Sequence, residues 1–413
     1  MATTTPAPTV KTPTRTYPTQ ATSAGDISAL TAPGIRPERL LYIDNLRLFM
    51  IVLVLVQHAA VTYSGLGSWY YIEGAHLDRL SSLLFGVYQA MTQSYFMGLL
   101  FLIAGYFVPG AYDRKGFGKF IKDRSIRLGI PALIYMLVIH PFIVYAVLAS
   151  QWTTPRPAAW EYYWRYLAGG QFVSGSGPLW FAIALLIFSV VYALARRVTG
   201  EGAARTRARN VTNLQAGWLI LVIALGAFLI RLVQPIGTNV LNMQLCYFSS
   251  YIALFVVGIA AYRNQWLSSL PAKFGQNWLR AGLTLGPLSL LIIAGVGGVF
   301  THGLTSFNGG LTWQSAAFAL WESFVAVSMS IGLLVLFRGR FSGQSKFIKA
   351  LSDNSFAVYV YHPVVLISIT LLLGPILLIP LAKFVLLVIL AVPVTFALTC
   401  LVLHRIPILR EVI

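Results

Sequence analysis

Residues 41–64 read LYIDNLRLFMIVLVLVQHAAVTYS. A helix that crosses a bilayer needs about 20 mostly apolar residues, and this stretch supplies them. It also carries Asp44, Arg47 and His58, which hydrocarbon surroundings penalise. Ten residues separate Arg47 from His58. Eleven helical steps make three turns plus about 20°, so both side chains share one face, about 16 Å apart along the axis. Gln57 is adjacent but points to another face. Taken singly, Arg47 reads as an interfacial anchor that snorkels to water, and His58 as a buried ring bonded to a neighbouring helix. Taken together, they describe a polar path through a bundle.

The rest of the chain repeats the apolar theme. Nine further stretches have spanning length: 82–108, 127–149, 178–195, 214–233, 243–262, 281–301, 312–337, 355–375 and 378–402. The fold class is all-α, a polytopic membrane protein of about ten transmembrane helices. Composition agrees. Of 413 residues, 57% are hydrophobic and 10% charged, with a mean hydropathy of +0.74. Soluble domains carry about 25% charged residues, so a soluble enzyme is excluded. The two cysteines, Cys246 and Cys400, fall in different spans on opposite sides, so they read as small buried apolar residues. Residues 1–38 are rich in Thr, Pro and Ala and lack the apolar core of a signal peptide. They read as a disordered cytoplasmic tail. The membrane domain is 39–405, and 406–413 is a short cytoplasmic tail.

A net charge of +18 suggests nucleic acid on a soluble chain. Here the charges obey topology instead. With the amino terminus inside and counting to the flanking helix ends, 24 of the 30 basic residues fall in the tail, in 109–126, 196–213, 263–280 and 338–354, and at the carboxyl end. Arg47 joins them. Arg79, Arg156, Arg165, Arg231 and Lys383 are left at or near the outer side. This bias supports an even number of spans with both termini cytoplasmic, and it accounts for the charge with no nucleic acid as partner. Trp180, Tyr70, Tyr71, Trp152, Trp160 and Trp164 cluster toward the outer face as an aromatic belt, with sugar stacking as a second role for the 150–177 loop. Intramembrane ionisable groups beyond the first span are His140, Arg231, Glu322 and His362. There is no G-x-S-x-G, no G-x-x-x-x-G-K-[ST], no His/Cys cluster of zinc spacing and no H-x4-D.

The pattern Asp44-Asn-Leu-Arg47…His58 resembles the hallmark of the acyltransferase type 3 family of integral-membrane O-acyltransferases, Arg-x10-His in a D-x-L-R context. Arg124-Ser-Ile-Arg127 is similar to the family's R-x-x-R at the start of the third helix. Gly177-Pro-Leu-Trp180-Phe181, Phe255-Val-Val-Gly258-Ile-Ala-Ala-Tyr262 and Tyr361-His362-Pro363 resemble further family motifs, in order, across 39–405. Y-I-D-N-L-R followed by H-A-A looks closest to the branch containing glucan-modifying succinyltransferases.

The resemblance implies transfer of an acyl group from cytoplasmic acyl-CoA, acetyl-CoA or succinyl-CoA, to a hydroxyl of an extracytoplasmic carbohydrate. Glucan, polysaccharide or glycolipid would serve, at the plasma or inner membrane. Acyl-CoA, the carbohydrate and membrane lipids are the partners, and no metal is needed. Alcoholysis of a thioester needs a base, and imidazole has the pKa nearest neutral. His58 is the candidate. Arg47 orients the donor or stabilises charge on the thioester oxygen. Arg124 and Arg127 bind donor phosphate, with Lys115, Lys119 and Lys122 adding positive field; anionic lipid headgroups offer a second use for these charges. Glu322 is the only acid deep in a span, and two placements are open to it. It orients His58 as in a triad, or it pairs with Arg231 or nearby serines. His362 and Trp180 are candidate substrate-binding residues. Pro363 frees a backbone carbonyl one turn earlier, which can line a cavity; a kink with a buried ring is the other reading of His362. A transporter or flippase of a small polar or lipid-linked substrate is the alternative function.

Overall fold

The computed structural model describes residues 39–73, 77–151, 157–200 and 211–401. The tails assigned to 1–38 and 406–413, along with Arg156 and Trp152, lie outside them. The structure is 83% helical, with no strands among the described residues. The longer helices are α1 (Leu41–Ser64), α2 (Arg79–Arg124), α3 (His140–Gln151), α4 (Ala159–Ala168), α5 (Trp180–Thr199) and α6 (Asn213–Arg231). They continue as α7 (Phe248–Arg263), α8 (Ala272–Val296), α9 (Trp313–Arg340), α10 (Lys346–Asp353), α11 (Ser355–Leu373) and α12 (Pro380–Leu401).

Nine helical runs among the described residues are long and apolar enough to cross a membrane. One of them, Arg79–Gln151, has 73 residues. Straight, it would be about 110 Å long, against a hydrocarbon core of about 30 Å. It breaks at Gly116, where φ is 69° and ψ 173°, a backbone conformation open to glycine. The chain then doubles back. Tyr70, shortly before Arg79, bonds to Tyr135 and His140, which a straight helix would leave about 80 Å away. The run therefore holds both the second and third apolar stretches, and ten stretches become nine runs. Asp78 starts α2 by accepting from the Leu80 and Ser81 amides. The Ser81 hydroxyl, also bonded to it, holds the Asp78 carboxyl below its ordinary pKa. π-helical turns at Ser125–Gly129 and Tyr135–Ile139 interrupt the returning arm.

Burial separates inner from outer helices. The apolar window of α9 is 78% buried and those of α1 and α11 are 61% buried, whereas that of α8 is 17% buried. The three inner helices carry His58, Glu322 and His362, so the polar groups sit where protein can satisfy them. Outer helices present apolar stripes, such as Leu221, Leu225 and Leu229 on α6, which suit lipid rather than water. Neither cysteine is disulfide-bonded.

Charged groups gather at the two ends of the bundle. At the Arg47 end, Asp113 pairs with Arg196 and Arg263, and Arg338 donates to the Leu267 and Leu270 carbonyls. Buried Asn45 donates to the Phe341 and Gly343 carbonyls and accepts from Gln344. The Asn of the D-N-L-R motif thus pins the segment after α9. At the other end Lys383 bonds to Glu73 at 2.7 Å, tying the segment after α1 to α12.

The Phe255-Val-Val-Gly258 motif is explained by packing. A Cβ on Gly258 would lie 2.1 Å from the Leu102 carbonyl oxygen, and one on Gly105 2.2 Å from that of Phe255. Small residues let α2 and α7 approach backbone to backbone. Gly258→Val is expected to force them apart at a cost of about 1–3 kcal/mol or more. A thermal melt of detergent-purified protein measures it. Gly217→Ala, whose Cβ meets nothing within 4 Å, should melt as wild type.

Candidate active site

His58 lies on the inward side of α1, past its middle. Its Nδ1 is 3.1 Å from Nε2 of His362 on α11. His362 Nδ1 is 2.7 Å from the carbonyl oxygen of Tyr359. His362 has no exposed surface, and both of its ring nitrogens are engaged within the protein. His58 keeps part of its surface accessible.

Trp69 completes the group. After α1 ends at Gly65, the chain folds back over the helix, with the Glu73 amide bonded to the Thr62 carbonyl at 2.9 Å. This return lays the Trp69 ring on His58, centroids 3.9 Å apart and planes 18° from parallel. The His58 and His362 rings are 5.1 Å apart, also at 18°. The Trp69 indole N–H is buried without a hydrogen-bond partner among the described residues. Tyr70 anchors the return: its hydroxyl meets that of Tyr135 at 2.7 Å and Nδ1 of His140 at 2.9 Å.

Two of the sequence motifs meet here. The Tyr359 hydroxyl donates to the Pro178 carbonyl, joining Gly177-Pro-Leu-Trp180 to the turn that carries His362. Gly177 has φ +49°, and a Cβ on it would fall 2.4 Å from the Tyr70 hydroxyl, so glycine is required. Asn242 donates to the Gly177 carbonyl at 2.7 Å and to Ser176 Oγ at 3.0 Å.

The basic residues converge at the opposite end of α1. The Arg47 guanidinium lies over the Phe107 ring at 4.8 Å and 3.6 Å from Asp44, with its side chain 40% exposed. Arg124 stands over Phe120 at 5.4 Å, within Coulombic reach of both Arg47 and Arg127. Arg124 thus stands near basic groups of both segments, a positive field that attracts anions.

The remaining candidates lie elsewhere. Glu322 does not meet His58. Arg231 donates to its carboxylate, and this pair is enclosed by Tyr247 and Phe318, whose ring centroids are each 5.6 Å from the guanidinium. Of the two placements open to Glu322, the structure takes the ion pair, because a buried guanidinium leaves its carboxylate no better partner. Trp180 stacks on Tyr251 at 5.6 Å among Phe101, Phe181 and Phe248, inside the bundle rather than in the outer belt. Trp160 and Trp164 remain exposed. Among the described residues, no group of three or more His, Cys, Asp or Glu is arranged to hold a metal ion. Sequence reading missed Trp69, which carried no signal, because its role comes from the chain folding back. The carbonyl that Pro363 frees one turn earlier is that of Tyr359, and His362 itself takes it up.

Residues 40–400 match the family described as Acyltransferase domain. No curated protein and no solved structure matches the chain. The match supports a multi-pass membrane acyltransferase and lends nothing to the transporter alternative. Spanning nearly all of the described residues and every motif above, it shows that this chain belongs to the acyltransferase type 3 family.

Proposed function

We propose that the protein moves an acyl group from acyl-CoA, acetyl-CoA or succinyl-CoA, to a carbohydrate hydroxyl on the far side of a plasma or inner membrane, with both termini cytoplasmic. One observation carries the reading. A partly accessible imidazole, covered on one face by Trp69 and bonded at its edge to His362, stands on the same helix as a guanidinium that lies near Arg124.

The Arg47, Arg124 and Arg127 end receives the phosphates of coenzyme A, which guanidinium groups hold in bidentate fashion. Arg47 and His58 are about 16 Å apart along α1. With that separation we assign Arg47 to the donor's phosphate end rather than to the thioester oxygen, and the extended pantetheine arm would bridge the gap. At His58 the acceptor hydroxyl gives its proton to the imidazole, and its oxygen attacks the thioester carbonyl. The tetrahedral intermediate collapses, the carbon–sulfur bond breaks, and the thiolate takes the proton back from His58. The products are an ester and coenzyme A thiol. Trp180 contributes to substrate binding through the aromatic wall it builds with Tyr251, and Glu322 keeps the bundle in register.

The test is thiol release from acyl-CoA by purified protein in detergent, with and without a saccharide acceptor. Acceptor-dependent thiol release is expected; movement of a substrate across vesicles with no thiol released would overturn the reading. Arg124→Ala or Arg127→Ala should raise the KM for acyl-CoA by about 10–100-fold with kcat largely kept, as expected for loss of a charge-assisted hydrogen bond.

A further inference from the structure

We propose that His362 is a positioning residue that holds the proton of His58 on Nδ1 and so leaves His58 Nε2 bare to act as the base. The inference rests on His58 being the base, as proposed above, and adds the residue that sets its tautomer.

The order of donors begins with a proline. Pro363 has no N–H, so the carbonyl four residues earlier, that of Tyr359, loses its helical donor. His362 Nδ1 fills the vacancy at 2.7 Å. A carbonyl oxygen only accepts, so the His362 proton sits on Nδ1. Neutral imidazole carries one N–H, which makes His362 Nε2 an acceptor. The atom facing it at 3.1 Å is His58 Nδ1, which must then be the donor. The same rule leaves His58 Nε2 with a lone pair and no proton. Each step follows from the one before, and the direction is set by the residue that cannot donate.

The surroundings hold this order in place. His362 has no exposed surface, so bulk water is not on hand to replace either bond. The Trp69, His58 and His362 rings lie within 18° of parallel, which resists a flip of the His58 ring. A neutral imidazole also does the orienting work of a carboxylate without burying another charge. Glu322, the one buried carboxylate among the described residues, is bound to Arg231. When Nε2 takes up the acceptor's proton, the Nδ1–H bond to His362 becomes charge-assisted, and the Trp69 face meets a cation.

The experiment combines histidine nitrogen-15 spectra with kinetics, on the full chain in lipid nanodiscs. The His58 signals are those lost in His58→Ala. Wild type is expected to show His58 protonated on Nδ1 and bare on Nε2. In His362→Ala this preference should vanish and kcat fall about 100-fold. Both KM values should stay within about twofold, since ground-state binding is untouched. His362→Gln, whose amide oxygen can accept from Nδ1–H, should recover much of kcat. A wild-type His58 protonated on Nε2 overturns the inference. Wild-type kcat in His362→Ala, with His58→Ala inactive, overturns it too and leaves the base standing. Full activity in His58→Ala overturns both.

Discussion

His58→Ala is expected to lower acyl transfer by about 10²–10⁴-fold, the contribution of a positioned general base. The loss should fall on kcat, because the proposed phosphate site of the donor, at Arg47, Arg124 and Arg127, lies toward the other end of α1. The fold should survive. His58 keeps part of its surface accessible, so water can occupy the space of the missing ring and meet the His362 lone pair, which would otherwise cost about 1–3 kcal/mol. The helix itself is held by residues that the substitution does not touch, among them Ile43, Leu46, Met50, Val54 and Leu55, all nearly fully buried. Product formation from acyl-CoA, followed by mass spectrometry alongside a thermal melt, separates lost chemistry from lost structure. A variant that melts normally and transfers at the wild-type rate removes His58 from the mechanism. The same instrument, applied to surface glycans of cells with and without the protein, identifies the acyl group and its acceptor.

Glu322→Ala should be damaging for a different reason. It leaves the Arg231 guanidinium, with no exposed surface, facing no counter-charge in the interior. Two of its nitrogens, Nε and Nη1, are already without hydrogen-bond partners among the described residues. Breaking a buried ion pair from one side costs about 3–5 kcal/mol. The expected signs are a sharply lowered melting temperature and poor recovery from the membrane. Replacing both partners with apolar residues of similar size, Arg231→Met with Glu322→Leu, should restore much of that stability, since no charge is then stranded. Transfer per folded molecule in the double variant should stay near wild type. A Glu322→Gln protein that melts as wild type yet has lost transfer would instead return the carboxylate to the chemistry.

The two ends of the site differ in how readable they were. Arg47 and His58 share a face of one helix, so an eleven-residue interval and a fixed angular step were enough to link them. Arg124 and Arg127 were legible as a basic pair three residues apart, but their closeness to Arg47 was not, because it depends on how α1 packs against the long run. His362 could be singled out only as a histidine before a proline. Its meeting with His58 spans 304 positions, and no local period reports such a distance. Glu322 shows the same limit. Its depth in an apolar span signalled that it needed a partner, but only the packing of α9 against α6 selected Arg231. Trp69 was invisible beforehand, because it lies in a short irregular segment whose path depends on Tyr70 finding Tyr135 and His140.

What the sequence determined by itself was everything that follows from a lipid solvent and a repeating backbone: helices, their number to within the fused pair at Gly116, and the sorting of charge to the ends. Hydrocarbon admits no unpaired backbone, so long apolar runs have one solution. What only the tertiary structure decided was which polar side chain satisfies which. In a bundle of parallel rods, any buried group has several neighbours within reach of a small rotation, and the choice is made by close packing, such as the glycine contact of α2 with α7, rather than by any pattern along the chain.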